Sequence, residues 1–220
     1  MNPQREQKLR AVALRRQFDF TVILENVFDT HNVGAVMRSC DSVGIREVFV
    51  LHSEEDRDLK RIQLGKRTSA GTRKWVKVHF YTDLEQCVAH VKSQYDKLLC
   101  THLGEDSVSL YDLDLSASVA LVFGNEHDGI SKELLAHSDG NFIIPQMGMV
   151  QSLNISVACA VSLYEGFRQR AAKDLYANNT TATEAQRQAL AEDYLEISSN
   201  YETGKFAYRI NEPRTPKEGQ

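Results

Sequence analysis

Three separated stretches of the chain carry residue types that bind and react with ligands. The first, Asn32-Val-Gly-Ala-Val-Met-Arg38, opens with an amide and ends with a guanidinium six residues on, nearly two helical turns, so both can serve one side of a helix. The second, Phe123-Gly-Asn-Glu-His-Asp-Gly-Ile-Ser131, follows an apolar run. It sets Gly124 where backbone must approach a ligand closely, then Glu126 and Asp128 ahead of a helix near Ser131. An ordinary polar turn with helix-capping acids would read the same way. The third, residues 142–161, joins a β-type run, Phe142 to Ile144, stopped by Pro145, to a helix from Ser152 onward with Leu153, Val157, Val161 and Tyr164 at helical spacing. Between the two halves, Pro145, Gln146, Gly148 and Gln151 surround Met147 and Met149, which suits backbone bent around a ligand with apolar and polar parts. As a plain connector it would need only Ser152 as the N-cap. Ser152 and Asn154 at a helix start are also donors suited to a phosphate or ribose oxygen.

The segments around these stretches form an alternating frame. Thr21 to Leu24 reads as a strand, Asn32 to Ser42 as a helix ended by Gly44, and Glu47 to Leu51 as a second strand, together a βαβ unit. Trp75 to Phe80 follows as a strand, Asp83 to Gln94 as a helix, Lys97 to Thr101 as a strand and Ser118 to Phe123 as an interior strand. Ile130 to His137 then reads as a helix. Five or six strands with helices between them predict a layered α/β fold around a parallel sheet. Residues 4–17 form a short amphipathic helix before it. Past Arg170 a polar stretch leads to a helix, Glu184 to Ile197, with apolar Ala185, Leu190 and Leu195, and then to a charged, Pro-rich end. The expected division is a basic helical extension at 1–17, one domain at 18–170, and a partly ordered extension at 171–220 that ends in disorder.

Composition narrows the classes. Of 220 residues, 42% are hydrophobic and 25% charged, as in ordinary soluble domains, and no apolar run approaches the ~20 residues of a bilayer span. The start carries five basic residues without an apolar core, unlike a secretory signal, so a cytosolic location is the expectation. Cys40, Cys87, Cys100 and Cys159 are far apart and read as reduced and buried; the histidines are scattered, and no metal site is expected. Charge is uneven: residues 1–80 hold 15 Lys and Arg against 10 Asp and Glu, and residues 81–220 hold 11 against 20. Arg5, Lys8, Arg10, Arg15 and Arg16 form one basic cluster. Arg57, Lys60, Arg61, Lys66, Arg67, Arg73, Lys74 and Lys77, around Trp75, form another, which suits a polyanion-tracking patch. Gly65-Lys-Arg-Thr68 lacks the upstream glycine of a phosphate loop, and there is no dinucleotide fingerprint or nucleophile elbow.

Taken together and in order, the three stretches resemble the three motifs of the SPOUT superfamily of RNA methyltransferases, in its TrmH branch of ribose 2′-O-methyltransferases. The resemblance covers roughly residues 18–170 and extends to the basic start, Ser69-Ala-Gly, Trp75-Val76, Leu99-Cys-Thr-His-Leu103 and Met147 to Asn154. It implies a deep trefoil knot near the C-terminal end of the domain, a homodimer, and S-adenosylmethionine as cofactor. The implied reaction is 2′-O-methylation of guanosine 18 in the D-loop of tRNA; another tRNA or rRNA nucleotide is the alternative, and a catalytically silent RNA-binding protein a further one. By the same resemblance Arg38 is the catalytic residue and Asn32, Glu126, Ser152 and Asn154 share its site, while Thr101, Gly124, Ile144, Met149 and Leu153 line the cofactor pocket. Arg5, Lys8, Arg10, Arg15, Arg16, Lys66 and Arg67 are the expected RNA contacts. Because an arginine has a pKa above ~12, Arg38 either takes the 2′-hydroxyl proton after strong desolvation or stays charged and stabilises the alkoxide while phosphate or water accepts the proton.

Overall fold

The apolar runs at 20–25, 47–51 and 119–123 lack polar alternation because each becomes a strand buried on both faces. The computed structural model describes residues 2–53, 71–177, 181–202 and 210–211. Its chain order is α1 (Pro3–Leu14), β1 (Phe20–Glu25), α2 (Thr30–Ser42), β2 (Glu47–Leu51), β3 (Lys77–Tyr81), α3 (Leu84–Lys92), β4 (Lys97–Thr101), β5 (Val108–Ser109), β6 (Val119–Phe123), α4 (Lys132–Leu135), β7 (Gly140–Ile143), α5 (Ile155–Ala172), α6 (Glu184–Glu202) and β8 (Ile210–Asn211). The strands form one eight-stranded sheet in the order β5-β7-β4-β6-β1-β2-β3-β8, and every neighbouring pair is parallel.

Strand alternation splits the core into two layers. Phe20, Val22, Leu24, Leu121 and Phe123 face α2 and α5, meeting Val36, Met37 and Cys40 of the first and Ile155, Cys159 and Leu163 of the second. Ile23, Phe49, Leu98, Ala120 and Val122 face the other way, toward Cys87, Val88 and Val91 of α3 and Leu134 of α4. All four cysteines are buried and free. Burial pushes the Cys87 thiol up to about 12 and Cys100 to about 11, so neither is a thiolate at neutral pH.

Several expectations shift in detail. The strand expected at 75–80 starts at Lys77, because Trp75 closes a 3₁₀ turn, Thr72–Lys74, and stacks edge-on to Tyr194 at 5.3 Å. The helix expected at 130–137 shortens to the four residues of α4, capped by Ser131, whose hydroxyl accepts from the Leu134 N–H. The helix of the third motif begins at Ile155, not near Ser152: Asn154 is the N-cap, its side chain accepting from the Ser156 N–H at 2.9 Å, and Ser152 stays exposed in the loop before it. Nor does that helix bury the stripe read from its spacing. Val157 and Tyr164 are exposed, and the buried face is the one with Ile155, Cys159, Ser162, Leu163 and Gly166.

The terminal helices form a third cluster instead of trailing from the domain. Leu9 and Ala13 of α1 pack against Ala191, Tyr194 and Ile197 of α6, with Trp75 beside them. The expected helix at 184–197 extends to Glu202, although Ala185 is exposed, and β8 adds a strand parallel to β3 that the sequence did not suggest. The expectation of a disordered end, like Lys66 and Arg67, falls on positions outside the described residues.

Arg16 corrects the reading of the basic cluster. It is 1% exposed: Nε donates to the Tyr194 hydroxyl at 2.9 Å, Nη1 to the Ile45 carbonyl at 2.9 Å, and Nη2 is paired with Asp41. Burial opposes its charge, but Tyr194 and Asp41 outweigh burial and raise its pKa. A guanidinium so enclosed ties α1 to α2 and α6 and has no free donor face for phosphate. Lys8, Arg10 and Arg15 are exposed on α1 and just beyond it, Arg10 paired with Glu6 at 2.9 Å; Arg5 is exposed but bonded to Ser198 and paired with Glu202 at 3.7 Å.

Candidate active site at the carboxyl edge of the sheet

In an open parallel sheet, ligands bind outside the carboxyl ends of the strands, where the winding direction reverses. Here β1 winds through α2 to β2 on one side, whereas its other neighbour β6 leads to β7 on the far side of β4. The loops after β1 and β6 and the start of α5 meet at that edge. The Asn32 side chain donates to Glu126 Oε1 at 2.5 Å and accepts from Asn154 Nδ2 at 3.3 Å. One residue from each of the three motifs, separated by 94 and 122 positions from Asn32, is thus joined in a single hydrogen-bonded chain.

Local structure fixes each member. Asp29 caps α2 by accepting from the His31 N–H at 2.8 Å, which sets Asn32 in the first turn of the helix. Asn154 uses Oδ1 for the cap of α5 and Nδ2 for Asn32, so helix start and site are one feature. The second motif is a tight turn closed by a pair of backbone bonds between Asn125 and Gly129, both 2.9 Å. A Cβ on Gly124 would lie 2.1 Å from the Gly129 carbonyl oxygen. Within the chain, the close approach that demands glycine there is to its own backbone at Gly129.

Two supports escaped the sequence reading. Glu25, fully buried at the end of β1, accepts from the Ser131 N–H at 2.9 Å and from its hydroxyl at 2.5 Å, anchoring the far end of the second motif. Asn26 adopts a left-handed φ of 53° and holds the end of β2 through Ser53, while its carbonyl accepts from Asn125 at 3.1 Å. An acid ending an apolar strand and an asparagine straight after it were the available signals.

Arg38 is exposed on α2, nearly two helical turns or about 9 Å along the axis from Asn32. It makes no hydrogen bond or ion pair with any described residue. α5 runs beside α2 in the same direction: Asn154 meets Asn32 at one end, and the Tyr164 hydroxyl donates to Ser42 at 3.3 Å at the other. Ser152 is exposed and outside the hydrogen-bonded chain.

Of the expected cofactor residues, Thr101, Gly124 and Ile144 lie at the carboxyl ends of the adjacent strands β4, β6 and β7. The Thr101 hydroxyl donates to the Val122 carbonyl at 2.9 Å, Ile144 packs on the core and Leu153 is half-buried. Met149 is not brought to them; it is fully exposed, as are Met147 and Val150 beside it. The side-chain oxygen of Gln146, in the same loop, is buried and has no partner among the described residues. An orphaned acceptor beside three strand ends fits a ligand that brings a donor, such as an amine. Among the described residues no group of three or more His, Cys, Asp or Glu could hold a metal ion, and no helix is long and apolar enough to cross a membrane.

Comparison with known proteins agrees with this architecture. The sequence model of the SpoU rRNA Methylase family matches residues 19–164. The tRNA (guanosine(18)-2′-O)-methyltransferase of Escherichia coli K12 is 38% identical over 191 residues, covering 86% of this chain and 81% of that protein. The enzyme of the same description from Thermus thermophilus is 37% identical, covering 86% of this chain and 94% of its own. The crystal structure of the A. aeolicus TrmH/SpoU tRNA modifying enzyme superposes with a TM-score of 0.77 at 31% identity, covering 89% of this chain and 96% of that one. A matching domain over residues 19–164, three motifs joined at one strand edge and relatives aligned along most of their length lead to one conclusion: this chain belongs to the SpoU methylase family.

Proposed function

We propose that this chain transfers the methyl group of S-adenosylmethionine to the ribose 2′-hydroxyl of guanosine 18 in the D-loop of tRNA. The observation that carries the reading is the Glu126–Asn32–Asn154 chain of hydrogen bonds, which joins the three motifs at the strand edge. The names of the E. coli and T. thermophilus relatives supply the nucleotide. When bound, the cofactor provides an electrophilic methyl carbon. Thr101, Ile144, Leu153 and the backbone at Gly124 would hold it, and Gln146 Oε1, buried without a partner among the described residues, would accept from one of its amines.

The chain's own groups then do three things. Asn32 fixes Glu126 and Asn154 relative to each other, Ser152 and Asn154 orient the ribose, and Arg38 supplies positive charge to the developing alkoxide. Arg38 is exposed and bonded to no described residue, and the electrostatic role is the one we assign. Methyl transfer from labelled cofactor to unmodified tRNA, followed by mapping of the modified ribose, tests the reading; transfer to another nucleotide, or none, overturns it. Replacing Asn32 by Ala removes both bonds at once. A fall in kcat/KM of about 10- to 100-fold with the melting temperature within ~2 °C of wild type is expected. Full activity would show that the three motifs need no bridge.

Residues 18–170 form the methyltransferase domain in this reading. Within the flanking extensions, residues 1–17 and 171–220, α1 and α6 pack on each other as a helical cap. The likeness to the A. aeolicus structure supports the deep trefoil knot expected there. The exposed apolar side chains Val157, Tyr164 and Phe167 along α5 support a homodimer through that helix; sedimentation of the intact chain tests it, and a monomer at micromolar concentration would refute it. No metal takes part in the proposed reaction, and the tRNA substrate puts the enzyme in the cytoplasm.

Exposed Lys8, Arg10 and Arg15 are the proposed phosphate contacts of the described part of the basic region, with Arg5 at the edge of that group and Lys66 and Arg67 beyond the described residues. Affinity for tRNA should fall steeply with salt, and replacing Lys8, Arg10 and Arg15 together by Ala should reduce the slope of log affinity against log salt by about 3. An unchanged slope removes this cluster from the RNA interface. Arg16→Met belongs in the same series as a contrast: it should lower stability and leave that slope alone.

A further inference from the structure

A cleft of about 510 Å³ opens at the carboxyl edge of the sheet, on the α3 and α4 side of the Asn125–Gly129 turn, away from α2 and α5. It is of ligand size. It is lined by Asn26 and Ser53 just after β1 and β2, Asn125 and Asp128 on the motif turn, and Glu85 and Glu133 on α3 and α4. Asn26 is bonded to both Ser53 and Asn125, so this part of the lining is preformed. Glu85 is bonded to His137 at 3.1 Å. Asp128 and Glu133 are exposed and have no hydrogen bond or ion pair with any described residue.

The lining is rich in acceptors and carries negative charge. A phosphate is repelled from such a cleft, so an RNA ligand can enter only with a base. Among the bases, guanine presents two adjacent N–H donors on its Watson–Crick edge, N1–H and the N2 amine, and one carboxylate can accept from both in bidentate fashion. Asp128 lies two residues from Glu126, at most about 7 Å away along the backbone. A ribose beside Glu126 and a base beside Asp128 can therefore belong to one nucleotide. We propose that this cleft receives the base of the target guanosine and that the Asp128 carboxylate reads it by accepting from N1–H and the N2 amine together. The proposal rests on the methyl-transfer reading above and adds the residue that sets base specificity.

The test uses the full chain and two tRNA transcripts that differ only at position 18, one with guanosine and one with inosine, which lacks the N2 amine. Wild type should favour guanosine by about 10- to 100-fold in kcat/KM. Asp128→Asn, whose amide offers a donor where guanine has one, should bring the ratio to within about threefold of unity, with cofactor affinity and melting temperature unchanged. Glu133→Gln, on α4, should keep the wild-type ratio. Equilibrium competition between the transcripts gives the same comparison without turnover, so a slow variant is still informative. Equal use of the two transcripts by wild type, or a wild-type ratio in Asp128→Asn, overturns the assignment. Absence of any transfer to the guanosine transcript by wild type would instead sink the methyl-transfer reading beneath it.

Discussion

Arg38→Ala should lower methyl transfer by about 10²- to 10³-fold or more while leaving the affinity for S-adenosylmethionine within about twofold of wild type. The size follows from removing the positive charge assigned to the developing alkoxide. The selectivity follows from position: Arg38 is on α2, whereas the expected cofactor residues lie at the ends of β4, β6 and β7 and in the loop before α5. Stability should change by no more than about 0.5 kcal/mol, because the side chain is exposed and bonded to no described residue. Arg38→Lys keeps the charge but not the planar fork of donors, so it should recover part of the lost rate. The measurement is turnover beside cofactor titration for the three proteins. Turnover unchanged in Arg38→Ala removes the residue from the mechanism; loss of cofactor binding in parallel with turnover would make it a pocket residue instead.

How much of this was legible in the sequence differs from feature to feature, for physical reasons. The strands at 20–25, 47–51, 97–101 and 119–123 were visible because strands buried on both faces must be continuous apolar runs. Local punctuation was less decisive. Ser152 and Asn154 are both good N-caps, and the choice between them depends on Asn32, 122 positions away, which takes the other half of the asparagine side chain. The stripe at Val157, Val161 and Tyr164 has real helical periodicity, but periodicity does not say whether an apolar face meets the core or lies on the surface; α5 buries the side with small residues because α2 and the sheet come close there. The pairing of α1 with α6 joins segments nearly the whole chain apart, through a few small or aromatic contacts that leave little mark on either helix read alone. Arginines were the least legible of all. In sequence, Arg15 and Arg16 are adjacent members of one basic run. In the fold, one is exposed and the other is buried against Tyr194 and Asp41.

Arg170 makes the same point with a larger expected effect. The sequence marks it only as the residue where the character of the chain changes, yet its side chain is fully buried near the end of α5. Nε donates to the Leu115 carbonyl at 2.9 Å, Nη1 to Gln17 Oε1 at 3.0 Å and Asp19 Oδ1 at 2.7 Å, and Nη2 to the carbonyls of Ala117 at 2.7 Å and Asp19 at 3.4 Å. All five donors of the guanidinium are thus used, and its carbon lies 4.7 Å from the ring centre of Phe20. Replacing it by Met fills most of the volume but removes the guanidinium from the Asp19 carboxylate, Gln17 Oε1 and the carbonyls of Leu115 and Ala117. The expected loss is about 3–5 kcal/mol, or a fall in melting temperature of roughly 10 °C for a chain of this size. Arg170→Lys should do little better, since one ammonium cannot reach acceptors placed around a planar fork. The effect should be confined to stability. Arg170 is 16 residues from Asn154 along α5, about 24 Å, so turnover per folded molecule at low temperature should match wild type. A melting temperature within 2 °C of wild type for Arg170→Met would mean that this clamp contributes little to holding α5. A selective loss of turnover in a stable variant would mean that the helix end communicates with its start.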